Sequence, residues 1–174
     1  IMGKACEWII EQLDKNKILQ RNGEKPYDYG LYPPGVWADW NRFGYHTYME
    51  AFFYGGLKET TAALARAGDP RADEMISKTE QFQSDFMRAY KWTQDRYPVL
   101  HQADDSWKVG SPAIIGCFGL VGNIYKGEDW MRAWAKDGGK SLSMVFTGLI
   151  DAESEKAEVL RMVNYMEDVV CLAE

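Results

Sequence analysis

The sequence predicts an all-α fold built from antiparallel helical hairpins. Apolar residues recur at helical spacing over most of the 174 residues. Very short turns between the predicted helices alternate with long connections. Helices with a single apolar stripe also alternate with helices that are apolar on most sides, which indicates an outer and an inner layer.

The composition agrees with a single helical-hairpin domain over 1–174. The apolar fraction of 46% is enough for a core. The net charge of −6 argues against nucleic acid as a partner, because such a partner requires a basic face. No apolar run is long enough for a membrane span. Three widely spaced cysteines without a metal or disulfide pattern are expected to be buried free thiols: Cys6, Cys117 and Cys171.

The first three predicted helices are long. Helix A covers about 2–17 and has one apolar stripe, whereas helix B, about 45–67, is apolar over most of its first half. Helix B ends at Gly68, and Asp69 and Pro70 then supply an N-cap and a first-turn proline for helix C, about 70–92. The short turn makes B and C an antiparallel hairpin.

The second half of the chain continues this pattern. Ser111 and Pro112 are expected to start helix D, which is apolar nearly all round and extends to about 125. A tight turn leads to helix E, about 128–137. A single helical turn near 144–149 then precedes helix F, about 151–172, for which Asp151 is the expected N-cap.

The long connections are expected to gather at one end of the molecule. If each helix packs antiparallel to the preceding one, connections A–B, C–D and E–F emerge together, and the two tight turns emerge at the opposite end. Helices B and D begin at the long-loop end, and helix N-termini carry partial positive charge and free N–H groups. That end is therefore predicted to hold something polar or anionic.

The first connection, about 19–44, is rich in turn residues but also in aromatic residues. A loop of this length is usually functional or disordered, and its aromatic content argues against disorder. The aromatic residues are Tyr27, Tyr29, Tyr32, Trp37 and Trp40.

Three stretches give the chain a resemblance to the six-hairpin glycosidase superfamily, the (α/α)6 toroids. They are Gly30-Leu31-Tyr32-Pro33-Pro34-Gly35 with the following Asp39-Trp40 and Tyr45-His46, then Phe52-Phe53-Tyr54-Gly55-Gly56-Leu57, and then 62–72. The likeness covers residues 1 to about 110 well and the remainder loosely. It implies a partial (α/α) toroid with alternating outer and inner helices.

A complete toroid of this family has twelve helices, whereas about six are predicted here. The resemblance therefore implies a half-ring cut from a larger (α/α)6 domain. A start at Ile1 and an end on a helical pattern without a C-cap signal agree with that expectation. Two open edges would expose inner-helix surface and favour a homo-oligomer.

The resemblance also implies an activity. Glucoamylases, α-L-rhamnosidases and unsaturated glucuronyl hydrolases of this superfamily bind sugars in a cleft at the loop end and use carboxylates as general acid and base. The leading hypothesis is thus a glycoside hydrolase acting on an oligosaccharide or glycoside. A non-catalytic carbohydrate-binding or structural remnant and a helical-repeat interaction module are the alternatives, although the long aromatic loops argue against such a repeat.

Glycoside hydrolysis requires two carboxyl groups that flank the scissile bond. Asp39 is the favoured candidate, because Trp37 and Trp40 would desolvate its carboxyl and raise its pKa. Asp105, which lies near the expected start of helix D, is the second. Turn or cap aspartates are the alternative interpretation. The other loop-end carboxylates are Glu24, Asp28, Asp95, Asp104 and Asp151.

Flat aromatic side chains suit the apolar faces of sugar rings, so several loop residues are candidate substrate-binding residues. Packing of the loops onto the helix ends is the equally weighted alternative. His46 is expected to form hydrogen bonds at the cleft, and His101 to be a solvated loop residue. No phosphate loop, nucleophile elbow or zinc motif is present, so no cofactor and no metal are predicted. The substrate-binding candidates are Tyr32, Trp37, Trp40, Tyr45, His46 and Trp107.

Overall fold

A computed structural model of the chain describes residues 1–36, 43–96, 99–101, 107–109, 112, 114–116 and 142–165. The protein is mostly helical, which confirms the predicted all-α class. The described helices are α1 (Met2–Lys15), α2 (Thr47–Arg66), α3 (Ala72–Gln94), α4 (Leu142–Phe146) and α5 (Lys156–Tyr165).

Short strands lie between the helices. Strand β2 is the centre of a three-stranded antiparallel sheet, in which Gly35 pairs with Gly44 on one side and His46 pairs with Ile114 on the other. A separate antiparallel hairpin pairs Val99 with Val109. The strands are β1 (Gly35–Val36), β2 (Phe43–His46), β3 (Val99–His101), β4 (Trp107–Val109) and β5 (Ile114–Ile115).

Helix α2 is the central helix of the described bundle. It packs against α1, α3 and α4, and Ala51 and Leu57 on it are fully buried. Gly55 lies where Thr147 approaches, so that a Cβ at position 55 would meet the Thr147 side chain at 3.0 Å. This close approach explains a glycine in the middle of the helix. Aromatic rings from α3, Phe82, Phe86 and Tyr90 among them, complete the core together with Cys6, Leu13, Leu31, Met144, Leu149, Ile150 and Met162.

A tight turn joins α2 to α3, as predicted. Gly68 takes a φ of 72°, the left-handed conformation that glycine adopts without strain. The backbone N–H of Arg71 donates to Asp69 Oδ1 at 3.0 Å, which is the hydrogen bond expected of the predicted cap. Regular helix begins at Ala72, two residues later than predicted.

Two predicted helix starts are wrong. Tyr45 and His46 belong to β2, and α2 begins only at Thr47, with His46 in extended conformation as its N-cap. Where helix D was expected to begin, Ile114 and Ile115 form β5. Their β-branched side chains favour strand over helix.

The later elements agree in part with the prediction. The helical turn expected near 144–149 is α4, and Asp151 caps the turn before α5 by accepting hydrogen bonds from the backbone N–H groups of Glu153 and Ser154. Regular helix starts at Lys156, later than predicted for helix F. Helix E, the rest of D and F, Cys117 and Cys171 lie outside the described residues.

The third connection does not lie where the alternation of helices predicted. Thr147 contacts Gly55, and the carbonyl oxygen of Gly148 accepts a hydrogen bond from Gln83 Nε2 at 2.9 Å. Both contacts are in the middle of α2 and α3. None of the helices in the described part of the chain is long and apolar enough to cross a membrane.

Candidate functional site

Three helix ends meet around the segment 27–31. Asn16, the C-cap of α1, donates from Nδ2 to the carbonyl oxygens of Asp28 and Leu31, at 3.0 and 3.1 Å. The Tyr27 ring stacks on Trp92, near the end of α3, with 4.8 Å between centroids. At the opposite end, Arg71 forms an ion pair with Glu7 of α1. The C-terminal ends of α1 and α3 therefore both lie at this segment of the first long connection.

Tyr45 links this segment to the beginning of α2. Its hydroxyl donates to Asp28 Oδ2 at 2.8 Å and accepts from Asn16 Nδ2 at 3.4 Å. Burial raises the pKa of the phenol, and the Asp28 carboxylate raises it further. The hydroxyl of Tyr45 is thus engaged within the protein, and only 9% of the residue is exposed.

His46, the other predicted binding residue at this position, is also buried. It is 5% exposed, and its ring lies 5.9 Å from that of Tyr48. As the last residue of β2 it pairs with Ile114 of β5. Tyr45 and His46 therefore join the small sheet to α2, which positions the N-terminus of α2 beside the loop segment.

Tyr32 is the predicted stacking residue that the structure describes best. Its half-buried ring stacks on Phe53 of α2 at 3.7 Å between centroids, with 23° between the ring planes. On its other side lies Trp8 of α1, at 6.1 Å and 56°. Trp8 is 52% exposed, so these three rings form a partly exposed aromatic row across α1, the loop and α2.

The aromatic row is held by a buried carboxyl that no sequence motif singles out. The backbone N–H of Tyr32 donates to Glu50 Oε2 at 3.1 Å, and Glu50 is 2% exposed in the first turn of α2. Burial raises the pKa of Glu50 to about 8, and the Tyr32 N–H opposes that rise. Within the described residues no cation pairs with this carboxyl. The available signal was a glutamate inside a helical stretch that is otherwise almost wholly apolar.

A carboxyl with this pKa is mostly protonated at neutral pH. Its buried position gives it contact with the loop backbone rather than with solvent, so Glu50 is a positioning residue for Tyr32. Among the described residues, no group of three or more His, Cys, Asp or Glu side chains is arranged to hold a metal ion.

The remaining predicted site residues are described little or not at all. Trp37, Asp39, Trp40 and Asp105 lie outside the described residues. For Trp107 the backbone alone is described: it pairs with His101 at the end of the β3–β4 hairpin.

Strand β1 pairs with β2 through Gly35–Gly44 and Val36–Phe43, and β2 leads directly into α2. The β1–β2 ladder therefore lies next to the N-terminus of α2.

Comparison of the chain with protein-family models, with curated proteins and with solved structures finds no match in any of the three.

Proposed function

We propose that the protein binds carbohydrate over the aromatic row Trp8–Tyr32–Phe53 and that the domain is a glycoside hydrolase. The observation that carries the proposal is the row itself, in which Tyr32 and Phe53 stack face to face and hold the half-exposed Trp8 at its edge. The exposed Trp8 ring offers the flat apolar surface on which a sugar ring stacks. The resemblance to six-hairpin glycosidases supports the same substrate class.

The proposed catalytic pair is Asp39 and Asp105, acting as general acid and base. The carboxyl groups that the structure describes near the aromatic row already have partners within the protein. Asp28 accepts a hydrogen bond from Tyr45, and Glu50 accepts one from the Tyr32 backbone. Both carboxyl groups are thus engaged with the protein itself, and the acid and base of this proposal come from the loop segments that carry Trp37, Trp40 and Trp107.

A non-catalytic sugar-binding domain is the second candidate. It is favoured by the engagement of Asp28 and Glu50 in contacts that stabilise the protein itself. The two candidates share the aromatic row and differ only in the requirement for Asp39 and Asp105.

The test separates binding from hydrolysis. A panel of maltooligosaccharides, uronic-acid oligosaccharides and aryl glycosides is titrated into the protein while tryptophan fluorescence is followed, and release of the aryl group is measured in parallel. Tyr32→Ala and Trp8→Ala should each weaken sugar binding about three- to tenfold, since one aromatic contact contributes about 0.5–1.5 kcal/mol. Tyr32→Phe keeps the ring and is the matched control, with binding unchanged.

Asp39→Asn and Asp105→Asn should abolish aryl release and leave sugar binding intact. Binding without any aryl release in the unaltered chain would favour the non-catalytic candidate. If no sugar of the panel binds, or if Tyr32→Ala and Trp8→Ala bind as the unaltered protein does, the proposed sugar site is wrong.

We also propose that the protein associates with a second copy of itself through α2. Met49, Phe52 and Gly56 follow one another at helical spacing and are exposed, Phe52 to 64%. A central helix with an uncovered apolar face is what an open edge of a half-ring would present.

A further inference from the structure

An open cavity of about 510 Å³ lies between α2, α3 and the segment 148–155. It is beside the middle of the two helices, where Gln83 holds the backbone of Gly148 and Leu149. None of the residues of the proposed sugar site lines it. Its size is in the range of small-molecule sites.

Tyr54 lies in the wall of this cavity. The residue is 5% exposed, and within the described part of the chain its hydroxyl makes no hydrogen bond. Burial raises the pKa of the phenol, and the carboxylates of Glu80 and Asp151 raise it further, which indicates that both carboxylates are near the hydroxyl. A hydroxyl that opens into the cavity without a described partner is free to hydrogen-bond to a ligand bound there.

Two carboxylates of the cavity keep free hydrogen-bonding capacity. Glu80 has no ion pair or hydrogen bond with any described residue. Asp151 uses Oδ1 for the capping bonds from Glu153 and Ser154, which leaves Oδ2 without a described donor. A third lining carboxylate, Glu155, is already paired with Lys91 at 2.8 Å.

The same cavity contains an unpaired cation. Lys58 Nζ is 6.0 Å from the centre of the Tyr54 ring. It also lies next to Gly148, 2.6 Å from the position that a Cβ on this glycine would occupy. No carboxylate of the described residues is within 4.0 Å of Lys58 Nζ, although its charge helps to lower the pKa of Asp151. The cavity thus presents charges of both signs, without ion-pair partners among the described residues, beside the Tyr54 hydroxyl.

We propose that this cavity binds a small zwitterion of the free α-amino acid type, with its ammonium group at Glu80 and Asp151 and its carboxylate at Lys58 and the Tyr54 hydroxyl. An ammonium has three donors and no acceptor, which matches two carboxylates. A simple amine would leave Lys58 unmatched and be repelled by it, and a neutral sugar would match neither charge. Met87 and Leu149 also line the cavity and favour an apolar ligand side chain.

The experiment uses L-leucine and isopentylamine, which differ only in the carboxylate, as probes in a titration followed by NMR. The unaltered protein should bind L-leucine saturably and more tightly than isopentylamine. Glu80→Gln should weaken L-leucine binding about tenfold or more, the usual effect of losing a hydrogen bond to a charged group. Tyr54→Phe should weaken it less, and Lys58→Met should remove the preference for L-leucine over isopentylamine.

Asp73→Asn is the matched control, because Asp73 is an exposed carboxylate on α3 that does not line the cavity. It should leave the affinity for L-leucine unchanged. The proposal is overturned if L-leucine does not bind saturably, if Glu80→Gln binds it as well as the unaltered protein, or if Asp73→Asn weakens it equally. Glucose binding in the cavity without L-leucine binding would also overturn it.

Discussion

At the scale of single residues, Glu50 has the most demanding environment among the described carboxyl groups. It is 2% exposed, and the Tyr32 N–H is its described hydrogen-bond donor. Burying an ionised carboxylate without a cation costs several kcal/mol, so the group keeps its proton instead, and its pKa rises to about 8. The protonation state of one side chain thereby becomes coupled to folding.

This coupling predicts a pH-dependent stability that Glu50→Gln removes. In the unfolded chain the carboxyl has an ordinary pKa of about 4.3. Between that value and about 8 the folded protein holds a proton that the unfolded chain has released, so the free energy of unfolding falls as pH rises through this window. Glutamine at position 50 cannot ionise. Above pH 8 the free energy of unfolding of Glu50→Gln should therefore exceed that of the unaltered protein by a few kcal/mol, about the energy that corresponds to the pKa shift.

Urea unfolding at a series of pH values measures this difference. Glu59→Gln is the matched control, because Glu59 is exposed on the same helix and its replacement should leave the slope with pH unchanged. Equal slopes for Glu50→Gln and the unaltered protein between pH 5 and 8 would contradict the prediction. The carboxyl would then be solvated or paired, and its role in holding Tyr32 would have to be abandoned.

At the scale of elements, the segment 25–31 is fastened to α3. Lys25 Nζ lies 3.2 Å from Oδ1 of the buried Asp85. Arg88 donates to the carbonyl oxygens of Pro26 and Tyr29 at 2.8 and 2.9 Å. Gly30, with a φ of 76°, fits directly over Asp85. These contacts hold the segment in the position from which Tyr32 joins the aromatic row.

Gly30→Ala should destabilise the protein more than Gly23→Ala. Both glycines have positive φ, at 76° and 82°, so each alanine costs about 1–2 kcal/mol of backbone strain. A Cβ at Gly30 would in addition meet Asp85 Oδ2 at 2.6 Å, whereas nothing lies within 4 Å of one at Gly23. Urea unfolding of the two variants isolates the effect of this contact. Equal losses of stability would mean that the segment moves freely away from α3.

The elements also show which parts of the fold the sequence could predict. The helices α1, α2 and α3 were predictable because apolar residues recur at helical spacing over 14 to 23 residues. Strands of two to four residues are too short for any periodicity, and β5 forms only because β2, far away in the sequence, is available to pair with it. Gly116, at a φ of 74° and under the Tyr27 ring, ends β5, and no local pattern revealed that packing.

Less of the candidate site could be predicted, because its contacts join residues that are far apart in the sequence. Tyr32 is a predicted site residue because of its position in an aromatic loop, whereas Trp8 and Phe53 lie in predicted helices, and no local pattern indicates their contacts with Tyr32. Glu50 lies 18 residues from Tyr32 in sequence, so their hydrogen bond depends on how the loop returns to α2. Such long-range contacts are set by tertiary packing and leave no mark on local spacing.

At the scale of the whole molecule, α2 determines both the core and an exposed apolar face. One side of the helix packs against α1, α3 and α4. The other side exposes Met49 to 37% and Phe52 to 64%, with Gly56 one turn further. Single exposed apolar residues are ordinary on protein surfaces, whereas neighbouring ones on one helix face are the kind of surface at which proteins associate.

We propose that a second copy of the chain binds to this face of α2, which predicts concentration-dependent self-association. Sedimentation velocity over a range of protein concentrations should show a monomer that converts to a dimer. Phe52→Glu should shift this equilibrium to the monomer, because an interface would have to bury an unpaired carboxylate. Leu160→Glu is the matched control, since Leu160 is 51% exposed on α5 and its replacement adds the same charge outside this face. A monomer at every concentration, or an equal effect of both variants, would show that the apolar face of α2 is not an interface between copies.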